Sequence, residues 1–343
     1  MGWTMPAETA RQQCVWMAFP REGYTLGHNA ESAEEARRAW ATVAHAISEF
    51  EPVTMLVDPS AKEDAGRHLS ADIRVVHTSY EEFWLRDSGP TFVFDEQGRL
   101  GAVDWIFNAW GAPTGESSPS DNAVAACVAE LAGAAIIPSL LVNEGGGLHV
   151  DGEGTVLVTE TVQLDPGRNP FATKERVEAE LARTIGATKV IWLPRGLTRD
   201  YEDLGTQGHV DMVVAIPSPG TILLHDQHDP EHPDDRVSRE LHHFLEGTTD
   251  AAGRQWQIID LPAPSVLRDD KGFVDWSYAN HLVVNDGVIA CGYGDAQADA
   301  RSAQILAEAY PGRRVVTVDA RAILSRGGGI HCITQQQPQS RRP

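Results

Sequence analysis

Apolar positions along this chain fall into short continuous runs that alternate with longer stretches of helical period. Residues 15–20 (VWMAFP) form one such run, closed by a proline, as a buried strand does. Over 30–50, apolar or small residues recur at Ala33, Ala36, Trp40, Val43, Ala44 and Ile47, which is helical spacing. Glu31, Glu34 and Glu35 occupy the first turns of that helix, where its dipole favours negative charge. A strand at Val53–Val57, a short helix over about 60–70 and a strand at 73–76 complete the unit. The same alternation then predicts helices over 122–131, 174–185, 234–246 and 296–309. Strands are predicted at 91–94, 100–107, 134–137, 189–193, 221–225, 257–261, 282–284, 288–291 and 314–318. Residues 149–159 read as a hairpin turning at Asp151-Gly152-Glu153-Gly154.

Five polar nodes interrupt the pattern: Trp84–Pro90, Asn143–Gly147, Gly208–Asp211, Ser277–His281 and Gly327–Cys332. Marked at Asp87, Glu144, His209, Asn280 and Cys332, they lie 57, 65, 71 and 52 residues apart, and each interval holds strands plus one helix. This reads as a repeated β/α unit without residue-level self-similarity. Such repeats can project equivalent loops toward one centre, as propellers and barrels do. A doubly wound sheet also carries its sites at strand ends, but the short helices and frequent hairpins disfavour it. No linker stands out, so 1–338 is expected to form one catalytic domain, with 339–343 a frayed tail.

Composition narrows the class. With 343 residues, 42% of them hydrophobic and 22% charged, the chain can bury a sizeable core. Its formal charge of -21 disfavours nucleic acid and anionic membrane as partners, and would help to steer a cation. The first residues lack the basic and apolar regions of a signal peptide, and no stretch approaches the ~18 apolar residues of a membrane span. Four cysteines, at 14, 127, 291 and 332, match no zinc or CxxC spacing. A cytoplasmic protein with free thiols is expected. Cys14, Cys127 and Cys291 sit among apolar residues and read as small core side chains. The segment 225–235 crowds three histidines among carboxylates. Its prolines and acids read as a solvated loop entering a helix rather than as a metal site.

The glycine triplet 327–329 delivers Cys332, either as a nucleophile or as an incidental cysteine in a turn. A cysteine nucleophile needs a thiolate, a proton shuttle and a polarised electrophile. His209 and Asp211, two residues apart, provide an imidazole beside a carboxylate, and Asp87 and Glu144 add two more acids. One thiol, one imidazole and three carboxylates would repel a developing oxyanion. They suit a guanidinium, whose fork of N–H donors carboxylates bind bidentately. Gly329 would let the backbone approach that flat cation, and Trp84 and Trp110 either wall the pocket or pack in the core. His331 is expected to face away from Cys332 on an extended segment, in packing or support, and Asn280 reads as structural.

Taken together, Trp84–Pro90 (WLRDSGP), Glu144–Gly147, Asp165–Pro170 (DPGRNP), Val190–Leu197, Gly208–Asp211 (GHVD) and 327–338, with its IHCITQQQP, resemble the agmatine deiminase / bacterial-type peptidyl-arginine deiminase family. The resemblance runs in order from Met5-Pro6-Ala7-Glu8 to Pro338. It implies an α/β pentein fold, five ββαβ-type units in a pseudo-fivefold propeller with the site on the central axis. It makes Cys332 the nucleophile and His209 first the general acid for ammonia, then the base for water. Asp87 and Asp211 would hold the guanidinium nitrogens and Glu144 would orient His209. The implied cycle passes through a covalent amidino-cysteine to a ureido product, with no metal or organic cofactor. Agmatine, giving N-carbamoylputrescine, is the first candidate substrate. Peptidyl-arginine deimination, amidino transfer and non-catalytic guanidino binding are the alternatives, and relatives imply a homodimer. Three departures bear on the substrate: Asn108-Ala109-Trp110-Gly111 is followed by APTGESSPSDN in place of an aromatic and acidic segment, Ala10-Arg11-Gln12-Gln13 replaces a Trp-x-Pro-His element, and Met212 follows GHVD.

Overall fold

The computed structural model describes residues 2–340 apart from 24, 28, 112–117, 203 and 204. The strands of those residues form five sheets, two of four strands and three of three. Each sheet contains an antiparallel pair joined to a parallel step, and one helix of at least eight residues lies in a parallel crossover of each sheet. In the first sheet, Gln12–Ala18 pairs in parallel with Val53–Val57 across helix α1 (Ala30–Ser48). In the second, Leu100–Ile106 and Ala135–Val142 flank α2 (Val124–Leu131). Thr155–Thr159 and Lys189–Leu193 flank α3 (Lys174–Ile185), and Thr221–Asp226 and Gln257–Pro262 flank α4 (Pro233–Glu246). Gly287–Gly292 and Arg314–Asp319 flank α5 (Ala296–Ala309).

The helices begin where side chains can satisfy the free N–H groups of a first turn. Asn29, Thr173, His232 and Asp295 each accept a hydrogen bond from an amide at the start of α1, α3, α4 and α5. Helix α1 buries Ala33, Ala36, Trp40, Val43, Ala44 and Ile47, the stripe its periodicity predicts. None of the helices among the described residues is long and apolar enough to cross a membrane.

One strand lies outside the hydrophobic pattern altogether. Thr334–Pro338 (TQQQP) is buried at every position and pairs antiparallel with Gln12–Ala18, tying the two ends of the chain into one sheet. Its amides are matched individually. Gln337 accepts from the Trp16 indole at 2.9 Å, and Gln335 accepts from Arg86 at 2.9 Å while donating to the Pro90 carbonyl at 2.8 Å. Gln339 continues the tie, its amide donating to the Arg11 carbonyl at 2.8 Å. A second unexpected strand, Val214–Ser218, follows the His209 node and pairs antiparallel with Thr221–Asp226.

The histidine-rich segment departs from a solvated loop. His225 is buried in its strand. His232 is buried too, donating to the Val274 carbonyl at 2.9 Å and accepting the Asp234 amide at 3.1 Å as the cap of α4. Its ring packs edge-on against Phe273, which pulls the segment inward. His228 alone of the three is well exposed, at 72% of its side chain.

Candidate active site

The polar nodes converge. Asp87 lies on the short helix Leu85–Ser88, Glu144 precedes the tight turn Gly145–Gly147, and His209 leads into the turn Val210–Met212 that carries Asp211. Cys332 lies in the turn before the closing strand, and the Arg86 amide donates to its carbonyl at 3.1 Å. All five side chains are buried, as is that of Asn280. Gly146 marks the centre: a Cβ there would sit 2.5 Å from His209 Nδ1 and 3.0 Å from both Asp211 Oδ2 and Asp87 Oδ1. Only a residue without a side chain leaves this space open.

Each group is oriented from behind. His209 Nε2 lies 3.3 Å from Glu144 Oε2, while Glu144 takes the Arg168 Nε–H on both oxygens at 3.0 Å. Arg168 is in turn fixed by the Thr206 carbonyl at 2.7 Å and Asp165 at 3.3 Å. Asp87 accepts from the Trp110 indole at 2.9 Å and from the Gly146 amide at 3.1 Å. Asp211 Oδ2 accepts from His331 Nδ1 at 2.8 Å and from the Cys332 thiol at 3.6 Å. Asn280 Nδ2 donates to Cys332 Sγ at 3.2 Å. Two buried atoms at the centre, His209 Nδ1 and Asp211 Oδ1, have no hydrogen-bond partner. Buried polar atoms are rarely left so, and a ligand bearing N–H groups would engage the carboxylate oxygen.

The electrostatics follow from crowding acids away from water. Burial, reinforced by Glu144 and Asp211, pushes Asp87 up to about 6 against the pull of His209. Burial opposes the charge on His209, yet Asp87, Glu144 and Asp211 outweigh it and raise the imidazole to about 9. Burial likewise opposes Glu144, but Arg168 and His209 hold it below the usual carboxylate range. Burial and the charges of Asp211 and Asp87 hold the Cys332 thiol well above its ordinary value. The site therefore combines a neutral thiol with an imidazolium.

The sequence pattern of the family described as Porphyromonas-type peptidyl-arginine deiminase matches residues 4–338. The chain belongs to this family. Among its deiminase relatives, a Streptomyces coelicolor protein designated "Putative agmatine deiminase" is 49% identical over 99% of this chain and 100% of its own length. The agmatine deiminase of Pseudomonas putida is 39% identical over 98% of this chain and 96% of its own. The solved agmatine deiminase of Enterococcus faecalis superposes with a TM-score of 0.92 at 33% identity, covering 99% of this chain and 96% of that one. The α/β pentein fold of these deiminases is thus the fold of this chain.

Within this deiminase frame, several residues take places that the sequence reading did not give them. His331 does not face away from Cys332. Both side chains reach Asp211 Oδ2, because residues 331–333 form a turn rather than an extended segment. Asn280, read as structural, touches the thiol, and its Oδ1 accepts the His331 amide at 3.0 Å. Arg168 lies within the DPGRNP motif, whose presence was visible but whose contact with Glu144 was not. Trp84 stacks on Phe83 and meets Trp40 edge-on in the core, with its ring edge 2.7 Å from the place of a Cβ on Gly328. A Cβ on Gly329 would lie 2.3 Å from Asn280 Oδ1, so the triplet brings the cysteine turn against both neighbours. Trp110 stands in a strap where Ala109, Trp110 and Gly111 all have left-handed backbone, at φ of 56°, 58° and 77°. Residues 112–117 of the departing segment lie outside the described residues. Beyond them, Ser118 caps the next turn and Asp121 accepts the Glu81 amide at 2.7 Å.

Proposed function

We propose that this protein is a cytoplasmic cysteine hydrolase that deiminates agmatine to N-carbamoylputrescine and ammonia. The observation that carries the reading is the space at Gly146, bounded by Asp87 Oδ1, Asp211 Oδ2 and His209 Nδ1, with the Cys332 thiol 3.6 Å from the same Asp211 oxygen. Asp87 and Asp211 would bind the guanidinium nitrogens, with Trp84 and Gly329 shaping the wall behind the nucleophile. Bound beside Sγ, the cation favours release of the thiol proton to solvent, since His209 already carries its own. Cys332 Sγ then forms a bond to the guanidinium carbon. His209, held by Glu144, delivers a proton to one nitrogen; that C–N bond breaks and ammonia leaves. Water adds to the amidino carbon and gives a proton to His209. The C–S bond breaks, restoring Cys332 and releasing the ureido product.

The fold that supports this reading is a five-bladed α/β propeller, one blade per sheet, with pseudo-fivefold symmetry about the site, formed by 1–338 as a single domain. The names of the relatives support agmatine over peptidyl-arginine, and we take the working form to be a homodimer. The test is a panel of agmatine, arginine, guanidino acids and a peptide ending in arginine, reading ammonia and ureido product. Agmatine should be turned over fastest. Cys332→Ala should lose at least ~10³-fold in turnover while still binding agmatine; undiminished ammonia release by that variant would sink the mechanism.

A further inference from the structure

We propose that His331 is a positioning residue of this site: an imidazolium clamped between Glu8 and Asp211, which keeps Asp211 ionised and turned toward the guanidinium. The inference deepens the function proposed above and rests on it for the ligand, though not for the clamp.

The geometry leaves the ring little choice of state. His331 Nδ1 lies 2.8 Å from Asp211 Oδ2 and Nε2 lies 2.8 Å from Glu8 Oε1, with all three side chains buried. An ionised carboxylate only accepts, and a neutral imidazole has one N–H to give, so two such carboxylates require the doubly protonated ring. Neither acid is free to supply the missing proton instead. Glu8 Oε1 also accepts from Gln336 at 3.4 Å and stands 3.6 Å from the Arg86 guanidinium, which fixes it as an anion. Asp211 Oδ2 already faces the Cys332 thiol at 3.6 Å, so a proton on that oxygen would oppose the thiol's own.

The remaining titratable or charged groups around the ring are Arg86, His149 and His281, the last held down to about 4 by burial and donating from Nδ1 to the Tyr278 carbonyl at 2.9 Å. Arg86 is anchored by the His331 carbonyl at 3.2 Å and by Gln335 at 2.9 Å, and it opposes the charge on His331. His149, its ring centroid 6.3 Å away, accepts the Ile216 amide on Nε2 at 2.9 Å and so carries its proton on Nδ1 as a neutral ring. Two anions, Glu8 and Asp211, therefore meet two cations, Arg86 and His331. A neutral His331 would leave this buried set with a net negative charge.

The consequence for the ligand lies in which oxygen is used. His331 and Cys332 both engage Asp211 Oδ2, leaving Oδ1 buried and unpartnered. The clamp thus sets the rotation of the carboxylate as well as its charge, and keeps Oδ2 beside the space at Gly146 that His209 and Asp87 also line. Glu8 reaches this place from 323 residues away in sequence, so the start of the chain braces a residue next to the nucleophile.

Spectroscopy and kinetics test the proposal separately. In the wild-type protein, ¹⁵N resonances of the His331 ring should show both nitrogens protonated from about pH 6 to about pH 8. Glu8→Gln keeps size and hydrogen bonding but removes the charge, and should make His331 titrate within that window. In agmatine turnover, His331→Gln should raise KM about 10-fold near pH 6 and less near pH 8, with a smaller fall in kcat, because without the imidazolium burial lifts the buried Asp211 above pH 6, and each unit by which it exceeds the pH costs about tenfold in its ionised fraction. A neutral His331 in the wild-type spectrum near pH 7 would overturn the proposal. An unchanged KM across pH in folded His331→Gln would overturn it too. If that variant does not fold, the spectra of wild type and Glu8→Gln still decide. If the wild type turns over no guanidino compound, the proposed function fails, while the spectra still decide the charge on His331.

Discussion

At the scale of single residues, the proposed chemistry rests on moving two ionisations apart. Asp87 is raised to about 6 and His209 to about 9, so between these values the acid that binds a cation is charged and the imidazole still holds a proton to give. The signs follow directly. Below about 6 the carboxylate of Asp87 is neutralised and cation binding is lost; above about 9 the general acid is lost. The pH dependence of kcat/KM for agmatine should therefore be a plateau bounded by these two limbs. The stability linkages run in the same sense, because both values are raised on folding. The contribution of His209 is fully present below about 6.5 and lost as pH rises through about 9, and that of Asp87 is fully present below about 3.8 and lost as pH rises through about 6. Trp110→Phe removes the indole N–H from Asp87, a bond of 2.9 Å to its charged form. The acidic limb of kcat/KM should then move up by about one unit with the basic limb unmoved. A shift of both limbs, or of neither, would show that Trp110 does not tune Asp87.

At the scale of elements, short turns and the four-residue helix Leu85–Ser88, rather than the long helices and the strands, hold the groups proposed to react. The turn Gly145–Gly147 packs against the helix of Asp87 so closely that a Cβ on Gly145 would lie 2.4 Å from the Arg86 carbonyl. Gly146→Ala places its methyl in the cation position, against side-chain atoms of His209, Asp211 and Asp87. Turnover should fall by at least ~10²-fold, with a thermal midpoint lowered by no more than a few degrees; calorimetry beside kinetics separates a blocked site from a broken fold. The helices and most strands were legible because hydrophobic period reports burial. The strand Thr334–Pro338 was not, because its residues are polar and its glutamine amides are held by specific partners distant in sequence. The direction of His331 was misread for a related reason, since alternation applies to a strand and residues 331–333 turn. Asn280 was visible as a node but silent as chemistry, since an amide gains a role only from what it touches.

At the scale of the whole molecule, the five polar nodes were legible as a set directed toward one centre, and the ion pairs that form there were not. Which acids pair with which cations depends on contacts such as Glu144 with Arg168 and Glu8 with His331, the second spanning 323 residues, and one sequence carries no trace of such pairing. The formal charge of -21 acts at this scale as well. An acidic surface concentrates a cationic substrate, and salt screens that field over about 8–10 Å at ordinary ionic strengths. Raising sodium chloride should therefore lower kcat/KM for agmatine several-fold while leaving kcat nearly constant. Salt-independent kcat/KM would confine the electrostatic effect to the buried site.

The pairing of Gln12–Ala18 with Thr334–Pro338 also sets a schedule. Synthesis runs from the first of these strands to the second, at about 5–20 residues per second. Until the second emerges, one edge of the first sheet has no neighbour, and an open edge is a template for other strands. The same late segment carries Cys332 and His331, while Glu8 waits at the beginning. A growing chain therefore cannot react before it can close: the last sheet edge is covered and the thiol brought into place in one step, so an unfinished chain is both inert and exposed to aggregation.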